Sequence, residues 1–320
     1  MSVAFVFPGQ GSQSIGMMSA LAQSSPVIES TFAEASQVLG YDLWQRCQTG
    51  PEEALNATEC TQPAMLTAGV ATYRLWLERG GAVPNVMAGH SLGEFTALVV
   101  AGCLDFKVAV DLVKFRAEAM QSAVPHGEGA MAAILGLEDA VVESACAEAA
   151  AGEVVEAVNF NAPGQVVIAG TEAAVARAIG LLTAKGARRV LPLSVSVPAH
   201  SSLMLPAAEK LRERLAATAV AAAAIAVYGV DVKIHRRPDD IRAGLVKQLH
   251  TPVYWAATVR RLIAGGATRL IECGPGKVLT GLNRRVDKNR NLKMLALEDP
   301  QSFEDALALL QSDDSKEALC

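Results

Sequence analysis

The sequence predicts an α/β fold, a largely parallel sheet layered with helices and interrupted by a smaller βαββαβ unit. Three observations predict it. Short apolar runs ending in glycine or followed by it recur at residues 3–7, 86–88 and 269–273, as expected of strands buried on both faces. Long stretches of helical periodicity, such as 62–79 and 107–122, lie between them, and alternation of strands with helices implies parallel pairing. Between residues 127 and 196 the rhythm changes to short strands and two short helices.

Each element has a local reason. Val3-Ala-Phe-Val-Phe7 is stopped by Pro8-Gly9, which cannot continue a strand ladder. Residues 86–88 run into Gly89, and a helix is expected over 92–101. In the middle segment, 130–135 reads as a strand and 138–151 as a helix, followed by strands at 154–158 and 165–169 around Asn161-Ala-Pro-Gly164. Thr171 opens a helix to 185 with Glu172 in its first turn, and 189–195 is a last strand. That order is the ferredoxin-like pattern. Residues 127–196 are therefore expected to be a small ferredoxin-like domain inserted into a large α/β domain made of 1–126 and 197–320, with a cleft between the two.

Composition narrows the function classes. With 320 residues, 51% of them hydrophobic, the chain can build two cored domains. A formal net charge of −5 argues against nucleic acid as a partner. The six cysteines have neither CxxC nor Cys/His ligand spacing, so no metal site is expected, and buried thiols in a reducing cytoplasm fit better than disulfides. The start, MSVAFVFPGQG, lacks the basic segment and cleavage site of a signal peptide. The Ala-rich stretch 216–230 is shorter than the roughly 20 residues a membrane span needs.

The chemistry centres on Gly89-His-Ser-Leu-Gly93, a serine on a tight strand-to-helix turn. Glycines at 89 and 93 let the turn close. The helix N-terminus behind Ser91, including the Leu92 N–H, faces any developing oxyanion. A serine hydroxyl needs a base. Of the histidines, His90 adjoins the nucleophile but diverges from it and shapes the pocket, while His126 and His235 sit in polar, loop-like sequence and are expected to be solvated. His200, after Pro198 where the chain re-enters the large domain, is favoured over His250. Two glycine-rich turns fail nucleotide-binding tests. Pro8-Gly-Gln-Gly-Ser12 has Ser14 where GxGxxG needs glycine, and Gly274-Pro-Gly-Lys277 has Ile271 where a P-loop needs its first glycine. A glycine turn beside a sheet can instead offer a backbone N–H to an oxyanion. Arg116, in the amphipathic segment VKFRAEAM, reads by itself as a solvated surface charge.

Seven segments together, FPGQGSQ (7–13), GHSLGEF (89–95), VKFRAEAM (113–120), NAPGQVVIAG (161–170), SVSVPAH (194–200), KQLHTPV (247–253) and ECGPGKVLTGL (272–282), resemble the malonyl-CoA:acyl carrier protein transacylases of bacterial fatty acid synthesis, in order and over nearly the whole chain. The resemblance implies a hydrolase-like α/β core with a ferredoxin-like insert. It implies Ser91 as acylated nucleophile, His200 as base, and the backbone carbonyl of Gln248 as the group that orients the histidine. It further implies an oxyanion hole from the N–H groups of Gln10 and Leu92, Arg116 as partner of the malonyl carboxylate, and Asn161 and His90 lining the site. The implied substrates are malonyl-CoA and the phosphopantetheine thiol of holo-acyl carrier protein, with no permanently bound cofactor. Phe95 stands where relatives often have tyrosine, a change expected to matter little. Ala199 stands where serine is common, close enough to the acyl group to bear on acyl tolerance.

Arg116 separates the readings. In an apolar acyl pocket a guanidinium is costly without a counter-anion, which favours dicarboxylic acyl groups. A serine esterase or thioesterase would use the same elbow with water as acceptor and give Arg116 no role. A non-catalytic carrier-protein or CoA-binding module would never acylate Ser91. The densest basic run, 283–293 with Arg284, Arg285 and Lys288, is expected to steer the acidic carrier, with help from Lys185, Arg188 and Arg189.

Overall fold

A computed structural model describes residues 2–125, 127–193 and 197–317. His126 and the expected strand end at 194 and 195 lie outside them. The larger sheet is built from β1 (Ser2–Phe7), β2 (Val86–Gly89), β7 (Ala226–Tyr228), β8 (Ile234–His235), β9 (Ala267–Glu272) and β10 (Lys293–Ala296), in the order β10–β9–β1–β2–β7–β8. Every neighbouring pair is parallel except the β7–β8 hairpin at the edge. The α/β class read from the sequence is therefore what the chain adopts.

The alternation of a strand explains the two layers. Val3, Phe5 and Phe7 of β1 enter the apolar cluster on one face, with Trp76 and Phe32, while Ala4 and Val6 enter the cluster on the other, with Trp255 and Leu270. A strand buried on both faces has no polar side to show, which is why β1 reads as an unbroken apolar run.

The second sheet holds β3 (Gly129–Leu135), β4 (Val155–Ala162), β5 (Gln165–Thr171) and β6 (Arg189–Pro192), antiparallel throughout in the order β4–β5–β3–β6. Helices Asp139–Ala150 and Glu172–Ala184 cover one face and share its apolar cluster. Thr171 caps the second helix, its Oγ1 accepting from the Ala174 amide at 3.3 Å. The other face carries Met131, Ala133, Val158, Val167 and Ala169. β4 runs further than the sequence suggests, so Asn161 is a strand residue and not part of the turn.

Register then sets the site. Phe7 of β1 lies opposite Gly89 of β2, and Val6 opposite Glu272 of β9. The three glycine-bearing turns after these strands therefore emerge side by side at the carboxyl edge of the sheet, where α/β folds hold ligands. Among the described residues no helix is long and apolar enough to cross a membrane.

Candidate active site

Ser91 occupies the turn between β2 and the helix Gly93–Val100 with a φ of +50°, a left-handed conformation costly for a residue with a side chain. Packing holds it there. A Cβ on Gly89 would stand 1.9 Å from the Gly93 carbonyl carbon, and one on Gly93 would stand 2.0 Å from the Phe7 carbonyl oxygen. Only glycines let the helix press this closely on β1 and β2. The His90 amide donates to the Phe7 carbonyl at 3.0 Å, tying the turn to the sheet.

His200 is 2% exposed, and its Nε2 lies 2.7 Å from Ser91 Oγ. Its Nδ1 lies 2.7 Å from the backbone carbonyl oxygen of Gln248. A carbonyl only accepts, so Nδ1 carries the proton and Nε2 presents its lone pair to the serine hydroxyl. The His200 amide donates to the Leu249 carbonyl at 2.9 Å, so the C-terminal end of helix Pro238–Gln248 fixes both backbone and ring.

Arg116 is not a surface charge. It projects from helix Phe106–Gln121 into the interior at 1% exposure. Nη1 donates to Gln62 Oε1 at 2.7 Å, Nη2 donates to Gln248 Oε1 at 3.0 Å, and Nη2 reaches Ser91 Oγ at 3.4 Å. Its Nε is buried with no partner among the described residues, and the guanidinium carbon lies 5.5 Å from the centre of the Phe95 ring. Phe95 thus touches the site more closely than its place in the motif suggests. Two amides, not a carboxylate, hold this cation.

The remaining expected residues converge here with unequal roles. The amides of Gln10 and Leu92 make no hydrogen bond within the protein among the described residues, so both remain available to an oxyanion. The turn bearing Gln10 is braced by Gln13, whose Oε1 accepts from the Gly11 amide at 2.7 Å, and a Cβ on Gly9 would stand 2.5 Å from the His90 carbonyl oxygen. His90 Nε2 pairs with Asn161 Oδ1 at 2.8 Å, linking the elbow to β4. His235 departs from expectation. The β7–β8 hairpin folds it over Gly229 and Gly244, and its half-buried ring pairs with Asp231 at 3.1 Å. In the basic run Arg284, Arg285 and Lys288 are exposed. Arg284 Nη2 donates to the Met294 carbonyl at 3.1 Å, and Arg285 donates to Gln165 and to the Pro163 carbonyl. Lys185 is paired with Glu148 at 3.5 Å.

Three participants escape the sequence: Gln62, the side chain of Gln248, and Glu94. Gln62 is oriented by donation from its Nε2 to Thr58 Oγ1 at 3.0 Å. Glu94, 3% exposed, accepts from Gln248 Nε2 at 2.7 Å. A glutamate after an elbow glycine reads as an ordinary first-turn acid, so only the tertiary contact reveals it.

Ser91, His200, Arg116, Gln62 and Asn161 line a cavity of about 880 Å³, which Met131, Ala133 and Val167 of the second sheet line as well. Burial, with the Arg116 charge beside it, pushes His200 from its ordinary 6.5 down to about 3. Burial also lowers Arg116, to about 10, leaving it protonated at neutral pH. Glu94 is raised by burial to about 7, against the pull of its Gln248 bond and of His235. The site thus holds a neutral base, a permanent cation and a serine between them, an arrangement suited to acyl transfer onto an oxygen nucleophile.

Comparisons agree with that chemistry. The family model described as acyl transferase domain matches residues 4–297. The malonyl CoA-acyl carrier protein transacylase of Escherichia coli strain K12 is 55% identical over 307 residues, covering 96% of this chain and 99% of that protein. Its counterpart in Bacillus subtilis strain 168 is 44% identical over 313 residues, covering 97% and 98%. Among solved structures, a malonyl-transacylase in complex with its type II PKS acyl-carrier protein superposes with a TM-score of 0.94 at 52% identity, covering 96% of this chain and 99% of that one. The transacylase of Coxiella burnetii superposes with a TM-score of 0.94 at 45% identity, covering 96% and 97%.

A base works only while unprotonated, and a lowered pKa moves the acid loss of activity to lower pH. The acid limb of Ser91 acylation, followed as kcat/KM for the free enzyme, is therefore expected well below pH 6.5. In Arg116→Met one cause of the depression, second only to burial, is gone, so the limb should move up. An unmoved limb in that variant contradicts the electrostatic coupling.

Proposed function

Because this chain belongs to the acyl transferase domain family, we propose that it moves malonyl groups from malonyl-CoA to the phosphopantetheine thiol of acyl carrier protein, supplying extender units for fatty acid synthesis. The observation that carries the proposal is Arg116, a buried cation within 3.4 Å of the serine hydroxyl oxygen, held by neutral amides and, among the described residues, lacking a carboxylate in contact. That leaves a donor edge for the free carboxylate of a malonyl group, which a guanidinium fork fits.

The reaction runs in two halves. In the first, His200 Nε2 takes the Ser91 proton as Oγ attacks the thioester carbonyl carbon. The resulting oxyanion is held by the Gln10 and Leu92 amides. Collapse breaks the carbon–sulfur bond, and the CoA sulfur leaves with the proton from His200. In the second, the carrier thiol gives its proton to His200 and attacks the malonyl ester, and Ser91 departs as the hydroxyl. The Gln248 carbonyl keeps the imidazole aligned through both halves, and His90 with Asn161 shapes the wall. The malonyl carboxylate also acts on the base. By compensating Arg116 it removes one cause of the depressed basicity of His200, so the base strengthens as the correct acyl group arrives. An acetyl group brings no such compensation.

The same reading assigns residues 1–126 and 197–320 to the large domain and 127–196 to the inserted small one, supported by their separate sheets and apolar clusters. A cytoplasmic location is supported by the five buried, unbridged cysteines among the described residues. The carrier is steered to the cavity by the basic run at Arg284, Arg285 and Lys288. Arg285 also clips the β4–β5 turn, so Arg284 and Lys288 are the cleaner probes.

Arg116→Ala should lower kcat/KM for malonyl-CoA by roughly a hundredfold, the scale of a lost buried charge-assisted pair, with acetyl-CoA use retained or raised. An unchanged malonyl-to-acetyl preference refutes the assigned role. Reversal of Arg284 and Lys288 to glutamate should raise KM for the carrier several-fold at low salt and spare KM for malonyl-CoA. Equal effects on both substrates rule out the steering patch.

A further inference from the structure

The catalytic steps give no task to Glu94, a buried acid beside the site. Glu94 Oε2 accepts from Gln248 Nε2 at 2.7 Å and from the Val230 amide at 3.3 Å. Gln248 Nε2 also donates to the Ser91 carbonyl at 3.1 Å. With both amide hydrogens so placed, Gln248 Oε1 must face Arg116, where it accepts from Nη2 at 3.0 Å. The contacts run Glu94, Gln248, Arg116 without a break. The other amide on the guanidinium, Gln62, is oriented by a neutral hydroxyl, so among the described residues the carboxylate tied to Arg116 by this network acts through Gln248.

We infer that Glu94 is a positioning residue, the remote counter-ion of Arg116, which through the Gln248 amide keeps the guanidinium charged and oriented while leaving its donor edge free, and so sets the preference for acyl groups bearing a carboxylate. A carboxylate in direct contact would occupy the fork that the substrate needs. One placed an amide further off compensates the buried charge without competing for it, and polarises the Gln248 carbonyl oxygen into a stronger acceptor. The same Gln248 holds His200 by its backbone carbonyl, so the acyl-binding cation and the base are referenced to one residue.

This inference rests on Arg116 as the carboxylate clamp, and the test separates the two. Ser91 acylation is measured from malonyl-CoA and from acetyl-CoA in Glu94→Gln, Gln248→Met and Arg116→Ala. In Glu94→Gln the malonyl-to-acetyl ratio of kcat/KM should fall about tenfold, the scale of one charge-assisted hydrogen bond, through a raised KM for malonyl-CoA. Gln248→Met, which keeps the backbone carbonyl on His200, should lower the ratio similarly, and adding Glu94→Gln to it should lower the ratio no further. An acid that only supports the fold would slow both substrates equally. An unchanged ratio in Glu94→Gln overturns the inference, as does one in Gln248→Met should Glu94→Gln fail to fold. Loss of the ratio in Arg116→Ala alone overturns the Glu94 role and leaves the clamp standing. No loss in Arg116→Ala removes both.

Discussion

Arg116, itself buried, places a positive charge 3.4 Å from Ser91 Oγ, and the surroundings are organised by that charge. A buried guanidinium is expensive unless each of its donors is met. Gln62 and Gln248 meet two of them with neutral oxygens, Phe95 lies against the cation, and Glu94 answers the charge at one remove. Among the described residues no carboxylate in contact neutralises it. The same charge lowers the basicity of His200, so the free site holds a serine and an imidazole that are aligned but electrostatically restrained.

That restraint has a functional sense for an enzyme that must hold an acyl ester without hydrolysing it. A neutral carbonyl behind His200 fixes the tautomer as an aspartate would, yet contributes no full negative charge to stabilise the imidazolium. Basicity then depends on what occupies the Arg116 edge, and the group that belongs there arrives on the substrate. The scaffold makes this possible by register alone. β1, β2 and β9 end together, the turns after β1 and β2 bring Ser91 beside the free amides of Gln10 and Leu92, and the apolar face of the second sheet lines the cavity.

What the sequence makes legible is what local rules govern. The elbow is written in five residues because its glycines answer steric contacts within the same turn and with the strand beside it. β1 and the βαββαβ order are written in periodicity and turn residues, since burial on one or both faces leaves a period in the chain. The partners of Arg116 are not so written. Gln62 lies 54 residues away and Gln248 132, and a glutamine carries no mark of what it will orient. Glu94 passes for a first-turn acid and His235 for a loop histidine because their partners come from the β7–β8 hairpin and the end of helix Pro238–Gln248. Burial of Arg116 likewise depends on the packing of three helices, and an amphipathic segment alone points it outward.

The central claim is that Ser91 carries malonyl between two thiols and is protected from water meanwhile. Intact-mass measurement after brief exposure to malonyl-CoA tests it most directly. The account predicts one malonyl adduct per chain, absent in Ser91→Ala, that persists in buffer and is discharged on addition of holo-acyl carrier protein. No adduct, or an adduct lost to water as fast as to the carrier, would contradict it.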